Sequence, residues 1–152
     1  LVKWISPTEL ELPLDPGVFS SAKNEMAEFI ESVWKNDKVK LKIRWADKTS
    51  LPELFQIQLG QAAGGRASMN YNKKSITMNP GTRSRSLAHE AGHVLGFRDE
   101  YFTLWDGSEN CTYIVEYTEE DVMSTSSSGK VTDVQWKALE TVYARPAATP
   151  VK

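Results

Sequence analysis

The stretch from His89 to Asp99 constrains the fold more than any other part of the sequence. It reads His-Glu-Ala-Gly-His-Val-Leu-Gly-Phe-Arg-Asp and contains both histidines of the chain. Residues four apart lie on one face of an α-helix, so a helical segment directs His89 and His93 to a common point. Gly96 favours a left-handed residue that ends the helix and turns the chain away. Asp99 follows three residues later and can approach the same point from outside the helix.

These residue types at this spacing predict a metal site. Neutral imidazoles are good Zn2+ ligands, and a catalytic zinc site has three protein ligands and one open position. His89 and His93 supply two ligands, and Asp99 or its neighbour Glu100 can supply the third. Glu90 lies about 100° round the helix from His89, where its carboxylate can reach a metal-bound water without being a ligand. We therefore predict that Glu90 is a general base.

The composition is that of one ordinary globular domain. The chain has 152 residues, of which 40% are hydrophobic and 25% charged, and its net charge is −2. This charge gives no basis for binding nucleic acid, and no apolar run approaches the roughly 20 residues that span a membrane. The single cysteine, Cys111, excludes a disulfide within the chain.

We expect one catalytic domain at 1–146, a tail or linker at 147–152, and a monomer that is secreted or extracytoplasmic.

Hydrophobic periodicity predicts an α+β fold with a mixed sheet packed on helices. Asp15 and Pro16 signal the start of the first long helix, and Thr132 and Gln135 have capping-box spacing at the start of the last. The predicted elements, in chain order, are a strand at 2–5, a helix at 16–35, strands at 39–45 and 55–59, a hairpin pairing 67–71 with 75–79, a helix at 84–95, an irregular segment at 97–130 and a helix that stops before Pro146.

The segment 87–101 resembles the zinc motif of the metzincin metalloproteases, in which a glycine follows the helix and a third ligand follows the glycine. Most metzincins have histidine as the third ligand. The aspartate here is similar to that of the snapalysin-like small bacterial neutral proteases, and this spacing favours Asp99 over Glu100. The resemblance implies a twisted mixed sheet of about five strands with one antiparallel edge strand, a backing helix, an active-site helix, and an irregular C-terminal part with a Met-turn and a terminal helix.

The resemblance also implies supporting residues and a substrate-binding edge. Met123, in Val122-Met123-Ser124-Thr125, would be the Met-turn methionine, which with Gly96 supports the site without touching the metal; the alternative is a methionine that only fills the core. The strand before last would be the antiparallel edge that lines the cleft and binds an extended polypeptide substrate by backbone pairing. Its residues are Arg66, Ala67, Ser68, Met69, Asn70 and Tyr71.

The predicted function is that of a metalloendopeptidase, which hydrolyses peptide bonds with a metal-bound water activated by Glu90. The alternative is a catalytically weak or inactive metal-stabilised binding or toxin module on the same fold. Glu90 argues against it, because a structural zinc needs no general base and takes four protein ligands. A deformylase-like hydrolase would need a cysteine ligand upstream of the helix, whereas Cys111 lies downstream. Tyr101, Tyr113 and Tyr117 are candidates either for a transition-state hydrogen bond or for packing.

Overall fold

The computed structural model describes residues 1–61, 66–82, 84–116, 120–125 and 128–147. These ranges contain eight strands, a short 3-10 turn and three α-helices. The strands are β1 (Lys3–Ser6), β2 (Glu9–Asp15), β3 (Lys40–Trp45), β4 (Phe55–Leu59), β5 (Ser68–Asn70), β6 (Ser75–Met78), β7 (Tyr101–Asp106) and β8 (Cys111–Glu116). The helices are α1 (Lys23–Val33), α2 (Ser84–Val94) and α3 (Asp133–Val142). In the described ranges, no helix is long and apolar enough to cross a membrane.

Six of these strands form one mixed sheet, which confirms the predicted α+β class. β3 pairs in parallel along one edge of β2, while antiparallel β1 and parallel β4 share the other edge. β6 pairs in parallel with β4, and β5 pairs antiparallel with β6 at the end of the sheet. The sheet therefore has one strand more than the predicted five, and two antiparallel strands instead of one. The predicted hairpin between β5 and β6 is confirmed.

Strand β2 is missing from the predicted elements because Pro13 interrupts its pattern. Proline cannot donate a ladder hydrogen bond and is rare inside central strands. Here the Leu14 carbonyl accepts from the Ala46 N–H on the β3 side, so the adjacent Pro13 faces the opposite edge. On that edge the β1 pairing ends opposite Glu11 and the β4 pairing begins at Leu14. Pro13 thus lies in the gap between two partner strands, where no donor is required.

The first long helix begins later than predicted. Gly17–Ala22 forms the 3-10 turn, and Phe19 within it is non-helical, so the α-helix covers only Lys23–Val33. Gly17 has a φ of +53°, and an added Cβ would lie 2.3 Å from the Ile57 carbonyl oxygen of β4. Because this close approach to the sheet needs a left-handed glycine, a regular helix cannot run through Gly17.

Two further segments test the C-terminal prediction. The prediction of an irregular segment at 97–130 is wrong in part, because Tyr101–Asp106 (β7) and Cys111–Glu116 (β8) form an antiparallel pair of strands. Both strands are rich in aromatic and β-branched residues on either side of a polar turn, which is a hairpin signal. The capping box is confirmed: the Thr132 hydroxyl accepts from the Gln135 N–H, and the Gln135 side chain accepts from the Thr132 N–H. Helix α3 then ends before Pro146, as predicted.

Trp34 connects the three helices and fixes the position of α2. Its side chain is fully buried, and its indole N–H donates to the Ala88 carbonyl at 2.8 Å. The ring meets Trp136 of α3 edge-on at 6.1 Å and stacks on Phe97 at 5.8 Å. A buried aromatic residue with a satisfied N–H holds its neighbours in one arrangement, and α2 is the helix that carries the histidines.

Candidate metal centre

The three predicted metal ligands lie together at the C-terminal half of α2. The rings of His89 and His93 are 4.8 Å apart and nearly perpendicular. One carboxylate oxygen of Asp99 lies 3.0 Å from His89 Nε2 and 3.2 Å from His93 Nε2. One ligand atom from each residue thus falls within 4.8 Å of the others, which is close enough to hold a metal ion.

Backbone carbonyls determine which nitrogen of each histidine is available. His89 Nδ1 donates to the Val122 carbonyl at 2.8 Å, and His93 Nδ1 donates to the Phe97 carbonyl at 2.9 Å. Because a carbonyl can only accept, the proton of each neutral ring sits on Nδ1 and Nε2 keeps its lone pair. Burial lowers the pKa of His89, which favours the neutral form that binds metals.

This donor set fits a cation. With both rings neutral and protonated at Nδ1, the lone pairs of two Nε2 atoms and the carboxylate of Asp99 face one point. A positive ion at that point would be held by these three groups. Hydrogen bonds from the far side of each imidazole are the usual means by which proteins orient metal-binding histidines.

The glycine after α2 turns the chain as predicted. Gly96 has a φ of +104°. Its N–H bonds to the His93 carbonyl at 3.0 Å, and the Phe97 N–H reaches the carbonyl five residues earlier at 3.0 Å. These two hydrogen bonds form the usual pattern at the end of a helix and give the carbonyls of residues 92 and 93 their partners. The turn brings the Phe97 carbonyl to His93 and directs the third ligand back to the histidines.

The turn Asp121–Thr125 supports the site from the side opposite the cleft. Its Val122 carbonyl accepts from His89, and its Met123 carbonyl accepts from the Glu100 N–H at 3.0 Å. The Ser124 hydroxyl donates to the Glu100 carbonyl at 2.9 Å. Met123 is fully buried against α2 and is not among the ligand atoms. One turn therefore holds the first histidine and the residue next to Asp99.

Gly92 allows Met123 to approach the helix, and this close contact gives a stability prediction. An added Cβ at Gly92 would lie 2.3 Å from Met123 Sδ and 3.0 Å from a Trp34 ring carbon. Glycine to alanine in a helix interior normally stabilises by about 0.5–1 kcal/mol. Here we expect Gly92→Ala to destabilise by about 1–3 kcal/mol through overpacking, measured by denaturant unfolding. In a Met123→Ala background most of the penalty should disappear, leaving only what the Trp34 contact contributes, and an undiminished penalty there would rule out the Met123 contact as its cause.

Glu90 is a buried carboxylate with unused hydrogen-bonding capacity. It is 4% exposed, and its Oε2 has no hydrogen-bond partner within the described ranges. Burial and, to a smaller extent, the negative charge of Asp99 raise the pKa of Glu90, while the positive charge of Arg66 lowers it; together they bring the pKa from 4.5 to about 7. A carboxyl group that titrates near neutral pH and lines a cleft can both take and return a proton.

The raised pKa of Glu90 predicts how the stability of the metal-free protein depends on pH. The folded state favours the protonated acid, so ionisation costs stability as pH rises from 4.5 to about 7. Glu90→Gln mimics the protonated form and should stabilise the metal-free protein by about 3 kcal/mol above pH 7. The difference should disappear near pH 4.5. Thermal unfolding in chelator at both pH values measures it, and a pH-independent difference would contradict the burial of an ionisable Glu90.

The three candidate ligands line a cleft of about 280 Å³. One wall comes from the β5 region and contains Ala67, Ser68, Met69 and Tyr71. The floor is formed by α2 with Glu90 and the two histidines, and Asp99 and Tyr101 complete the lining. The edge strand is shorter than predicted, since β5 covers only Ser68–Asn70. Four of the six predicted residues line the cleft, namely Ala67, Ser68, Met69 and Tyr71. Arg66 stacks its guanidinium 5.4 Å above the Tyr101 ring.

Two tyrosines contribute hydroxyl groups to this cleft. Tyr101 lies with its ring 6.2 Å from that of His89, and burial, followed by the charge of Asp99, raises its pKa. Tyr71 was predicted only as an edge-strand residue, yet its hydroxyl donates to the His93 carbonyl at 3.0 Å. Burial also raises the pKa of Tyr71. The missed contact joins residues 22 apart in sequence, so no local pattern indicates it.

Other candidates lie elsewhere or outside the described part of the chain. The Glu100 side chain is exposed and is not a member of the metal-binding group, which leaves Asp99 as the carboxylate at the histidines. Cys111 is exposed at the start of β8. The side chain of Tyr113 and the whole of Tyr117 lie outside the described residues.

Comparison with known proteins gives no family for this chain. No protein-family model matches it, and no curated protein matches it.

Proposed function

We propose that this chain is a zinc-dependent endopeptidase in which His89, His93 and Asp99 hold the metal and Glu90 transfers the proton. The observation that carries the proposal is the convergence of three ligand atoms within 4.8 Å in a cleft that also contains the buried carboxylate of Glu90, whose Oε2 has no hydrogen-bond partner in the described ranges. A structural metal site has no use for such a carboxylate, whereas a hydrolase needs one within reach of water.

The ligand set supports zinc as the metal. Two imidazoles and one carboxylate are a known catalytic zinc set, with a fourth position left for water or substrate. When bound, zinc supplies a Lewis acid and lowers the pKa of water to about 7. The carbonyls of Val122 and Phe97 hold the two rings in the tautomer that this binding requires.

Glu90 carries out the proton transfers in this proposal. Its carboxylate takes a proton from the attacking water and delivers it to the amine of the broken peptide bond. Glu90 follows His89 in α2, and its buried side chain lines the same cleft as the three ligands. Its burial limits competing hydrogen bonds to bulk water, which keeps the group available for the transfer.

Strand β5 supports an extended polypeptide as the substrate. It is antiparallel to β6 on one side and forms the end of the six-stranded sheet. Ser68 and Asn70 are exposed, and Met69 packs towards the core. A peptide chain can pair with the free edge of such a strand through backbone hydrogen bonds and so pass along the cleft above Glu90.

A combined metal and cleavage experiment tests the proposal. The purified protein is analysed for metal by mass spectrometry and incubated with casein and a peptide library. We expect stoichiometric zinc, loss of cleavage in a chelator and recovery when zinc is restored. Stoichiometric metal without any cleavage would favour a metal-stabilised binding module. Protein that takes up no transition metal would overturn the metal centre itself.

A further inference from the structure

We infer that Asp121 and Gln135, which do not line the cleft, are positioning residues for the metal ligand His89. The inference rests on the proposed function, because it concerns the same metal. A buried chain of hydrogen bonds connects helix α3, the turn Asp121–Thr125 and helix α2.

Asp121 fixes the turn through both its side chain and its backbone. The residue is 5% exposed, and its Oδ1 accepts from the Met123 N–H at 2.6 Å. Its backbone carbonyl accepts from the Ser124 N–H at 3.1 Å and the Thr125 N–H at 2.8 Å. Three successive N–H groups of the turn, those of residues 123–125, therefore donate hydrogen bonds to Asp121.

The side-chain bond sets the direction of the carbonyl that orients His89. The Met123 N–H and the Val122 carbonyl belong to one planar peptide group and point in opposite directions. Anchoring the N–H on Asp121 therefore fixes where the carbonyl points. That carbonyl lies 2.8 Å from His89 Nδ1. Rotation of this peptide would remove the acceptor that holds the imidazole.

Gln135 holds the Asp121 side chain in place and forms side-chain hydrogen bonds with two partners. Its Oε1 accepts from the Thr132 N–H at 2.8 Å, which completes the capping box of α3. Its Nε2 donates to Asp121 Oδ1 at 2.9 Å, and the glutamine is 4% exposed. A capping box accepts glutamine and glutamate equally, but only glutamine has the N–H donors that Asp121 needs. The amide is therefore required by the turn and not by the helix cap.

The variant Gln135→Glu separates these two roles. It keeps an acceptor for the capping box and replaces the donor facing Asp121 by a second carboxylate. We expect Zn2+ affinity to fall about 10-fold, the lower end of the loss for direct hydrogen-bond partners of metal ligands, because Gln135 acts on His89 through Asp121 and the turn. Affinity is measured by competition with a chromogenic chelator, and the visible spectrum of the Co2+ form reports the ligand geometry. If the pair of carboxylates prevents folding, Gln135→Met is used instead: it removes the same donor without adding charge, and it also removes the capping-box acceptor, so it is compared with a variant that weakens only the cap.

Thr132→Ala is the matched control. It removes the hydroxyl that accepts from the Gln135 backbone N–H at 3.3 Å and donates to Gln135 Oε1 at 3.4 Å. The side-chain amide keeps its bonds to the Thr132 N–H and to Asp121. We expect it to lower the melting temperature but to keep wild-type Zn2+ affinity and the wild-type Co2+ spectrum. If the Gln135 variants bind Zn2+ like wild type with an unchanged spectrum, or if Thr132→Ala weakens binding as much as they do, the positioning role is overturned while the proposed function stands. Wild-type protein that binds no Zn2+ would overturn both.

Discussion

Replacing Glu90 by glutamine should reduce the rate of peptide hydrolysis by about 10²–10⁴-fold, the usual contribution of a positioned general base. The amide has nearly the same size and sits in the same buried place, but it cannot take a proton. Because Glu90 is not one of the three metal ligands, zinc content should be unchanged. The measurement is kcat/KM on a peptide substrate, together with the metal content of the same preparation.

Glu100→Gln is the control for this experiment. Glu100 is an exposed glutamate close in sequence to the ligands, and its backbone N–H and carbonyl bond to Met123 and Ser124. A change confined to its side chain should leave hydrolysis within a few-fold of wild type. Rapid turnover by zinc-loaded Glu90→Gln would remove Glu90 from the proton transfer, and comparable losses in both variants would point to a general electrostatic effect.

Replacing Asp99 by alanine should abolish stoichiometric zinc binding, and hydrolysis with it. Asp99 has a carboxylate oxygen 3.0 Å from one imidazole and 3.2 Å from the other, and no other carboxylate in the described ranges belongs to this group. Losing a direct ligand should cost more than the roughly 10–100-fold in affinity that follows from losing an outer hydrogen-bond partner. Competition titration with a chelator measures the change in affinity, and hydrolysis measured with excess zinc shows whether added metal restores it.

The same titration on Glu100→Ala decides between the two carboxylates that the sequence offered. Its side chain is not among the ligand atoms, so this variant should bind zinc like wild type. The opposite result, with zinc lost in Glu100→Ala and retained in Asp99→Ala, would mean that the loop after Gly96 binds metal in a different conformation.

Most of what lies within one turn or one hairpin could be predicted from the sequence. The i, i+4 spacing of His89 and His93, the left-handed Gly96, the β5–β6 hairpin and the Thr132–Gln135 capping box all depend on neighbours a few residues away. Propensity and periodicity describe such short-range geometry well. The hairpin of β7 and β8 is also local, and its aromatic and β-branched residues on either side of a polar turn could have indicated it.

The tertiary structure decided the rest, because the decisive contacts join residues far apart in the chain. Pro13 fits a central strand only because two other strands leave a gap beside it. The ring orientation of His89 depends on a carbonyl 33 residues away, and that carbonyl depends on Asp121 and on Gln135 of another helix. The sequence determined which side chains could bind a metal, since residue type and helical spacing are local. Their arrangement around one point depends on the packing of α2 against the turn and α3, which no short stretch of sequence encodes.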